Sequence, residues 1–279
     1  MKRWTLAAVA ATVVALSLGC ATIEEQQRAW IFQPSDRSWS GSASEAVGMQ
    51  DVWIDFDSQV TDAPARLHGL WLPADHPGTS PVLLYLHGAR WNVEGSAPRI
   101  RRMQELGFSV LAIDYRGFGK STAGLPSEDM AYEDAHKAWD WLAARYPQRP
   151  RYIFGHSLGG AIAIDLAAKV PDESGTIVEG AFTSIADVAS SMKWGWLPIG
   201  PLITQRFDSV HKVSHLGAPL LVVHGDSDNL INVELGRKLY EAAQGRKRFV
   251  LVQGGSHFST MAVGLPQYRQ ALADLFSLR

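Results

Sequence analysis

Residues 151–168 constrain this chain more than any other stretch. They read Arg151-Tyr152-Ile153-Phe154-Gly155-His156-Ser157-Leu158-Gly159-Gly160, followed by Ala161-Ile162-Ala163-Ile164-Asp165-Leu166-Ala167-Ala168. An apolar run suited to a strand gives way, inside a Gly-x-Ser-x-Gly, to a small-residue run suited to a helix. A chain that reverses so sharply holds its serine in a strained turn with the hydroxyl exposed. Glycines two before and two after it avoid clashes with the strand and the helix. The helix also points its amides toward charge forming on an attacked carbonyl. Ser157 is therefore a candidate nucleophile, the alternative being a structural glycine-rich turn.

The flanking sequence supplies the rest of a sheet. Strands are expected at Val52–Phe56, Arg66–Leu72, Pro81–Leu86, Ser109–Asp114, Tyr152–Phe154, Ile177–Ala181, Leu220–His224 and Lys247–Val252. The first two alternate, as edge strands do, while the later ones are apolar on both faces, as strands covered by helices are. Helices are expected at Pro98–Leu106, Ser127–Tyr146, Leu158–Val170, Val233–Ala243 and Pro266–Leu278. In the longest, Ser127 is a plausible N-cap, with Glu128 and Asp129 in the first turn. Strands alternating with helices predict an α/β fold with a mostly parallel sheet.

With 279 residues, 46% hydrophobic and 19% charged, the chain has the composition of a cored globular protein, not of a disordered or multi-span one. Lys+Arg 26 against Asp+Glu 28 gives a net charge of -2, which offers no basic footprint for nucleic acid. No His/Cys/Asp cluster has metal-ligand spacing, and Asp114-Tyr115-Arg116-Gly117-Phe118-Gly119 is not a dinucleotide fingerprint. No metal and no cofactor is implied, and the sequence does not set an oligomeric state.

A serine needs a base and an orienting acid. Leu220-Leu221-Val222-Val223-His224-Gly225-Asp226-Ser227-Asp228 puts Asp228 on the loop leaving a buried strand, with Asp226 as its rival. Lys247–Val252 ends in Gln253-Gly254-Gly255-Ser256-His257, which delivers His257 as base. Of the other histidines, His87, His156 and His224 are expected to be structural. His68, His76, His136, His211 and His215 show no acid partner in the sequence. The oxyanion hole needs two amides: Leu158, which follows the serine, and one from His87-Gly88-Ala89-Arg90-Trp91, assigned to Ala89 with Arg90 as rival. Arg90, Trp91, Trp194 and Trp196 are the expected substrate-pocket residues.

From about residue 50 to 279 the sequence resembles the α/β-hydrolase superfamily, nearest its compact serine hydrolases without a large lid, a branch with lysophospholipase-like and depalmitoylase-like members. The resemblance is carried by His87-Gly88, Asp114-Tyr115-Arg116-Gly117-Phe118-Gly119-Lys120-Ser121, Gly155-His156-Ser157-Leu158-Gly159-Gly160, Phe182-Thr183-Ser184, Arg206-Phe207-Asp208-Ser209, His224-Gly225-x-x-Asp228 and Gly255-Ser256-His257. It implies an eight-stranded, mostly parallel sheet flanked by helices, a short cap around 185–215, and a Ser157/Asp228/His257 triad. Relatives often carry Asn after His-Gly, where this chain has Ala89.

The first residues bear on location. A basic head, Met1-Lys2-Arg3, precedes an apolar run, Trp4 to Leu18, and then Gly19-Cys20. That is a signal-peptide layout. Its end resembles a bacterial lipobox, although Ser17 stands where leucine is usual. Such a cysteine carries acyl chains, so Cys20 is the expected lipidation site and the bilayer an expected partner. The rival reading is an ordinary signal peptide or uncleaved anchor. Ala21 after the cysteine points, by the same resemblance, to the outer membrane, facing the periplasm. The expected organisation is a signal peptide over 1–19, a lipidated tether over 20–50 and a catalytic domain over 51–279.

The expectation is a serine hydrolase of carboxylic esters, acting through an acyl-enzyme on lipid-like or other acyl-chain substrates. Thioester and peptide hydrolysis use the same machinery and stay open, as does a non-catalytic envelope binding protein. The cap aromatics either line an acyl pocket or cover the sheet edge as core.

Overall fold

The computed structural model describes residues 22–34, 45–192, 196 and 200–278. Cys20, Trp194 and the expected signal peptide lie outside the described residues. The strands are β1 (Gln50–Asp57), β2 (Pro64–Leu72), β3 (Val82–Leu86), β4 (Ser109–Ile113), β5 (Arg151–His156), β6 (Gly175–Glu179), β7 (Leu220–Gly225) and β8 (Lys247–Val252). They form one eight-stranded sheet in the order β1-β2-β4-β3-β5-β6-β7-β8. β2 runs antiparallel to both neighbours and the other pairs are parallel. This is the mostly parallel α/β architecture expected from the sequence.

Every residue of β3 to β7 is buried, as a sheet covered on both faces requires. One face carries the helices Glu128–Arg145, Leu158–Ala167 and Val233–Ala242. The other carries Ala97–Glu105 and Leu265–Phe276. Ser127 caps its helix by accepting the Met130 amide, as the sequence predicts. Between β6 and β7 the cap region holds a short helix, Ile185–Ser191, and single turns at Gly200–Leu202 and Ser209–His215.

The stretch read as a tether differs from expectation. Residues 22–32 are helical, and Ile31 and Phe32 join the core beside Ala131, Leu158 and Phe207. Arg28 donates to the carbonyls of Pro126 and Leu125, and Gln27 to that of Leu202. The packed body thus begins before residue 51.

Candidate active site

Gly-x-Ser-x-Gly spans the junction of β5 with the helix Leu158–Ala167. Ser157 takes φ 56° and ψ -121°, a region that costs a non-glycine residue on the order of 1–3 kcal/mol. The surroundings enforce it. A Cβ on Gly155 would stand 2.2 Å from the Gly159 carbonyl oxygen, and one on Gly159 would stand 2.1 Å from that of Leu86. Strand and helix pack too closely there for side chains.

Asp228 leaves β7 on a tight loop. Its Oδ1 accepts the amides of Leu230 and Ile231 at 2.9 and 2.8 Å, and its Oδ2 lies 2.7 Å from His257 Nδ1. Burial pushes this carboxyl up, but hydrogen bonds from His224 and His257 outweigh it and hold the group below the usual carboxylate range. Asp226 does something else: its Oδ1 accepts the Gly254 amide at 2.8 Å and so ties the two loops together. Between the two acids, the histidine meets Asp228.

His257 is held from behind by His156, expected to be structural, and by Arg99 and Glu179, which sequence reasoning did not single out. Its carbonyl accepts from His156 Nε2 at 2.9 Å and from Arg99 Nη2 at 3.3 Å. Arg99 also donates to the Phe258 carbonyl and, through Nε, to Glu179 at 3.1 Å. Glu179 is wholly buried and takes the Tyr268 hydroxyl as a second donor. An acid directly after the apolar pair Ile177-Val178 in the strand Gly175–Glu179 was the available signal. His156 is pushed well below its ordinary value, by burial first and then by Arg99 and His257, so it stays neutral.

The loop after β3 carries two consecutive non-glycine residues in the left-handed region, Arg90 (φ 72°) and Trp91 (φ 57°). The Arg90 amide is spent on the Phe32 carbonyl at 2.9 Å. The Ala89 amide has no partner among the described residues, which favours Ala89 over its rival as an anion donor. His87 is buried and structural: its Nδ1 meets the Gly88 carbonyl at 2.6 Å, and burial lowers its pKa.

His68, expected to lack an acid partner, has two. Its Nε2 is 2.6 Å from Asp51 and its Nδ1 is 3.3 Å from Asp114. Register explains the oversight: β1 pairs Trp53 with His68, bringing Asp51 within reach from 17 residues away. His136 and His211 likewise meet Asp140 and Asp208 on the surface.

Ser157, Leu158, His257, Ala89, Arg90 and Trp91 all line one cavity of about 600 Å³. Its apolar wall includes Phe182, Ile185, Val188, Met192 and Met261. Trp196, expected in the pocket, is 74% exposed and lies outside the lining. The lining also takes Trp30 and Ile31 from the first helix. Ser157 Oγ makes no hydrogen bond to a described residue; catalytic contacts often tighten only when substrate arrives. Among the described residues no cluster of three or more His, Cys, Asp or Glu is placed to hold a metal.

The chain is 33% identical to an uncharacterised protein of Mycobacterium tuberculosis over 260 residues, covering 92% of this chain and 90% of the relative. A family model described as serine aminopeptidase, S33, matches residues 78–207. A lysophosphatidylserine lipase of Danio rerio is 32% identical over 196 residues, 63% of this chain and 51% of the lipase. The chain belongs to the α/β-hydrolase superfamily. An esterase of Pyrococcus furiosus shares the fold of this hydrolase at a TM-score of 0.68 and 21% identity, covering 88% of this chain and 97% of the esterase. The hydrolase spans about half the length of the lysophosphatidylserine lipases it matches.

Proposed function

We propose that this hydrolase is a serine carboxylester hydrolase acting on esters that carry an acyl chain. The reading rests on one arrangement: Ser157, His257 with its Asp228 partner, and the Ala89 and Leu158 residues meet at one cavity with an apolar wall. Asp228 engages Nδ1 of His257, which leaves Nε2 to take the Ser157 proton as Oγ attacks the ester carbonyl. The amides of Ala89 and Leu158 receive the oxyanion. The protonated imidazole gives its proton to the departing alcohol, and water activated by His257 then releases the acid. The buried Asp228 carboxylate fixes the histidine tautomer and stabilises its charged form.

Two observations bear on substrate class. The cavity lining includes Arg90 and Arg102, and neither guanidinium pairs with a carboxylate among the described residues. A free peptide ammonium, as an aminopeptidase substrate presents, meets Arg90 and Arg102 there, while the acid in the lining, Glu45, lies 3.6 Å from Arg101. The apolar wall suits an acyl chain, and the lipase relatives support a lysophospholipid-like ester.

For location, we read Cys20 as the lipidated first residue of an outer-membrane protein facing the periplasm. Only Ala21 separates Cys20 from the first described residue of the helix 22–32. Ile23 and Trp30 on that helix are both more than half exposed. Trp30 also lines the cavity, so an anchor at Cys20 would hold the cavity close to the bilayer.

The test compares p-nitrophenyl esters from acetate to palmitate, aminoacyl p-nitroanilides and a lysophospholipid, with Ser157→Ala as control. A buried methylene is worth about 0.8 kcal/mol, or about fourfold in kcat/KM, so activity should climb with chain length. Activity confined to acetate and butyrate overturns the acyl-chain reading, and anilide turnover exceeding that of every ester favours a peptidase.

A further inference from the structure

We infer that residues 27–33 are a positioning element for catalysis: the Phe32 carbonyl and the Gln33 side chain hold the loop 88–91 in the shape that presents the Ala89 amide to the oxyanion. The inference rests on the serine hydrolase reading above.

Backbone strain in that loop is the starting observation. Arg90 and Trp91 both sit at positive φ, 72° and 57°, where side chains crowd the backbone. Such conformations persist only where contacts over-determine them. Two contacts hold Arg90 there, and both come from the first helix and its exit. The Arg90 amide donates to the Phe32 carbonyl at 2.9 Å, and Arg90 Nε donates to Gln33 Oε1 at 2.8 Å. Gln33 is itself left-handed, at φ 46°.

The segment that provides these contacts is fastened independently of the loop. The Phe32 ring is fully buried, with its centroid 5.7 Å from Phe207 and 6.4 Å from Phe118. Gln27 accepts the Thr204 amide at 2.9 Å, and Arg28 donates to the Pro126 carbonyl at 2.9 Å. The loop that carries the Ala89 amide is thus indexed to the body through residues nearly sixty positions earlier in the chain. With the Arg90 amide consumed, Ala89 and not Arg90 is the amide that faces developing charge. A donor that drifts by an ångström loses most of its worth in the transition state, while ground-state binding changes little.

The test uses the full-length protein in detergent and the variants Phe32→Ala, Phe32→Leu and Gln33→Ala, with p-nitrophenyl butyrate as substrate. Phe32→Ala should lower kcat about tenfold to a hundredfold with KM within about twofold. It should weaken an aryl boronic acid, which forms a tetrahedral anion on the serine, in the same proportion. Phe32→Leu, which refills most of the ring's volume, should restore most of kcat. Gln33→Ala removes the acceptor for Arg90 Nε and a donor to the Trp30 carbonyl at 2.8 Å, leaves the buried Phe32 ring in place and should lower kcat by about threefold to tenfold. A rise in KM at constant kcat makes the segment a mere cavity wall and overturns the inference. So does a loss of kcat without loss of boronate affinity. If Phe32→Ala does not fold, unchanged kcat in Gln33→Ala overturns it alone. Hydrogen exchange over peptide 88–92 separates this failure from that of the hydrolase reading. An inert protein that ignores fluorophosphonate sinks the latter, whereas an Arg90 amide exchanging as fast in the native chain as in Phe32→Ala sinks the brace.

Discussion

Asp228 sits between opposing influences, burial on one side and donors from His224, His257, Leu230 and Ile231 on the other, and the donors win. A carboxyl with a depressed folded pKa contributes stability that is complete above its unfolded value and is lost as pH falls through the folded one. The melting temperature should therefore fall on acidification below about pH 4, and Asp228→Asn should flatten that limb. The same variant should cost on the order of 10⁴ in kcat, because the amide selects the wrong histidine tautomer. His68 has the opposite sign. Burial lowers its pKa, but Asp114 and Asp51 outweigh it and raise it, with Lys120 opposing. Its contribution is complete below the unfolded value near 6.5 and declines as pH rises through the folded value. Thermal melts of His68→Gln should accordingly lose the decline that the native protein shows above about pH 6.5. A melt with the same slope in both proteins would remove His68 from the account. The pairing of Asp228 with His257 was legible because each follows an apolar strand in a glycine-bearing loop. Arg99 and His68 were not, since their partners are set by register and packing across dozens of residues.

Elements were more legible than contacts, for a physical reason. Strands buried on both faces leave unbroken apolar runs, so β7 falls at Leu220–Gly225, one residue beyond expectation, and β5 differs only by gaining Arg151, Gly155 and His156. The helix 22–32 was missed because Glu24, Glu25, Gln26, Gln27 and Arg28 mask its period, and its core contacts gather in Ile31 and Phe32 at its end. The strand-to-helix crossing at Gly159 yields the sharpest element-level expectation. Its added Cβ would stand 2.1 Å from the Leu86 oxygen and 2.5 Å from that of His87, both backbone atoms. Gly159→Ala should destabilise by about 3 kcal/mol or more in urea denaturation. Gly217, with nothing within 4 Å of such a Cβ, serves as control, and equal losses at both sites would mean that the clash relaxes.

At the scale of the molecule, the first helix joins the cavity wall to the side expected to meet the bilayer. On the anchored reading, Ile23→Glu, which lies outside the catalytic cavity, should slow hydrolysis of a vesicle-borne lysophospholipid by about threefold to tenfold. Its rate on soluble p-nitrophenyl butyrate should stay unchanged. Equal effects on both substrates would dissociate the helix from the membrane. The helix also has a history in time. Its partners are Pro126, Leu202, Thr204 and Phe207, so a chain emerging from its start makes this segment early and cannot seat it until some 175 residues later. Contacts that span such separations close late in folding. On the anchored reading the stretch beside Cys20 therefore stays open to modifying enzymes during synthesis, and the loop at Arg90 gains its support only as folding finishes.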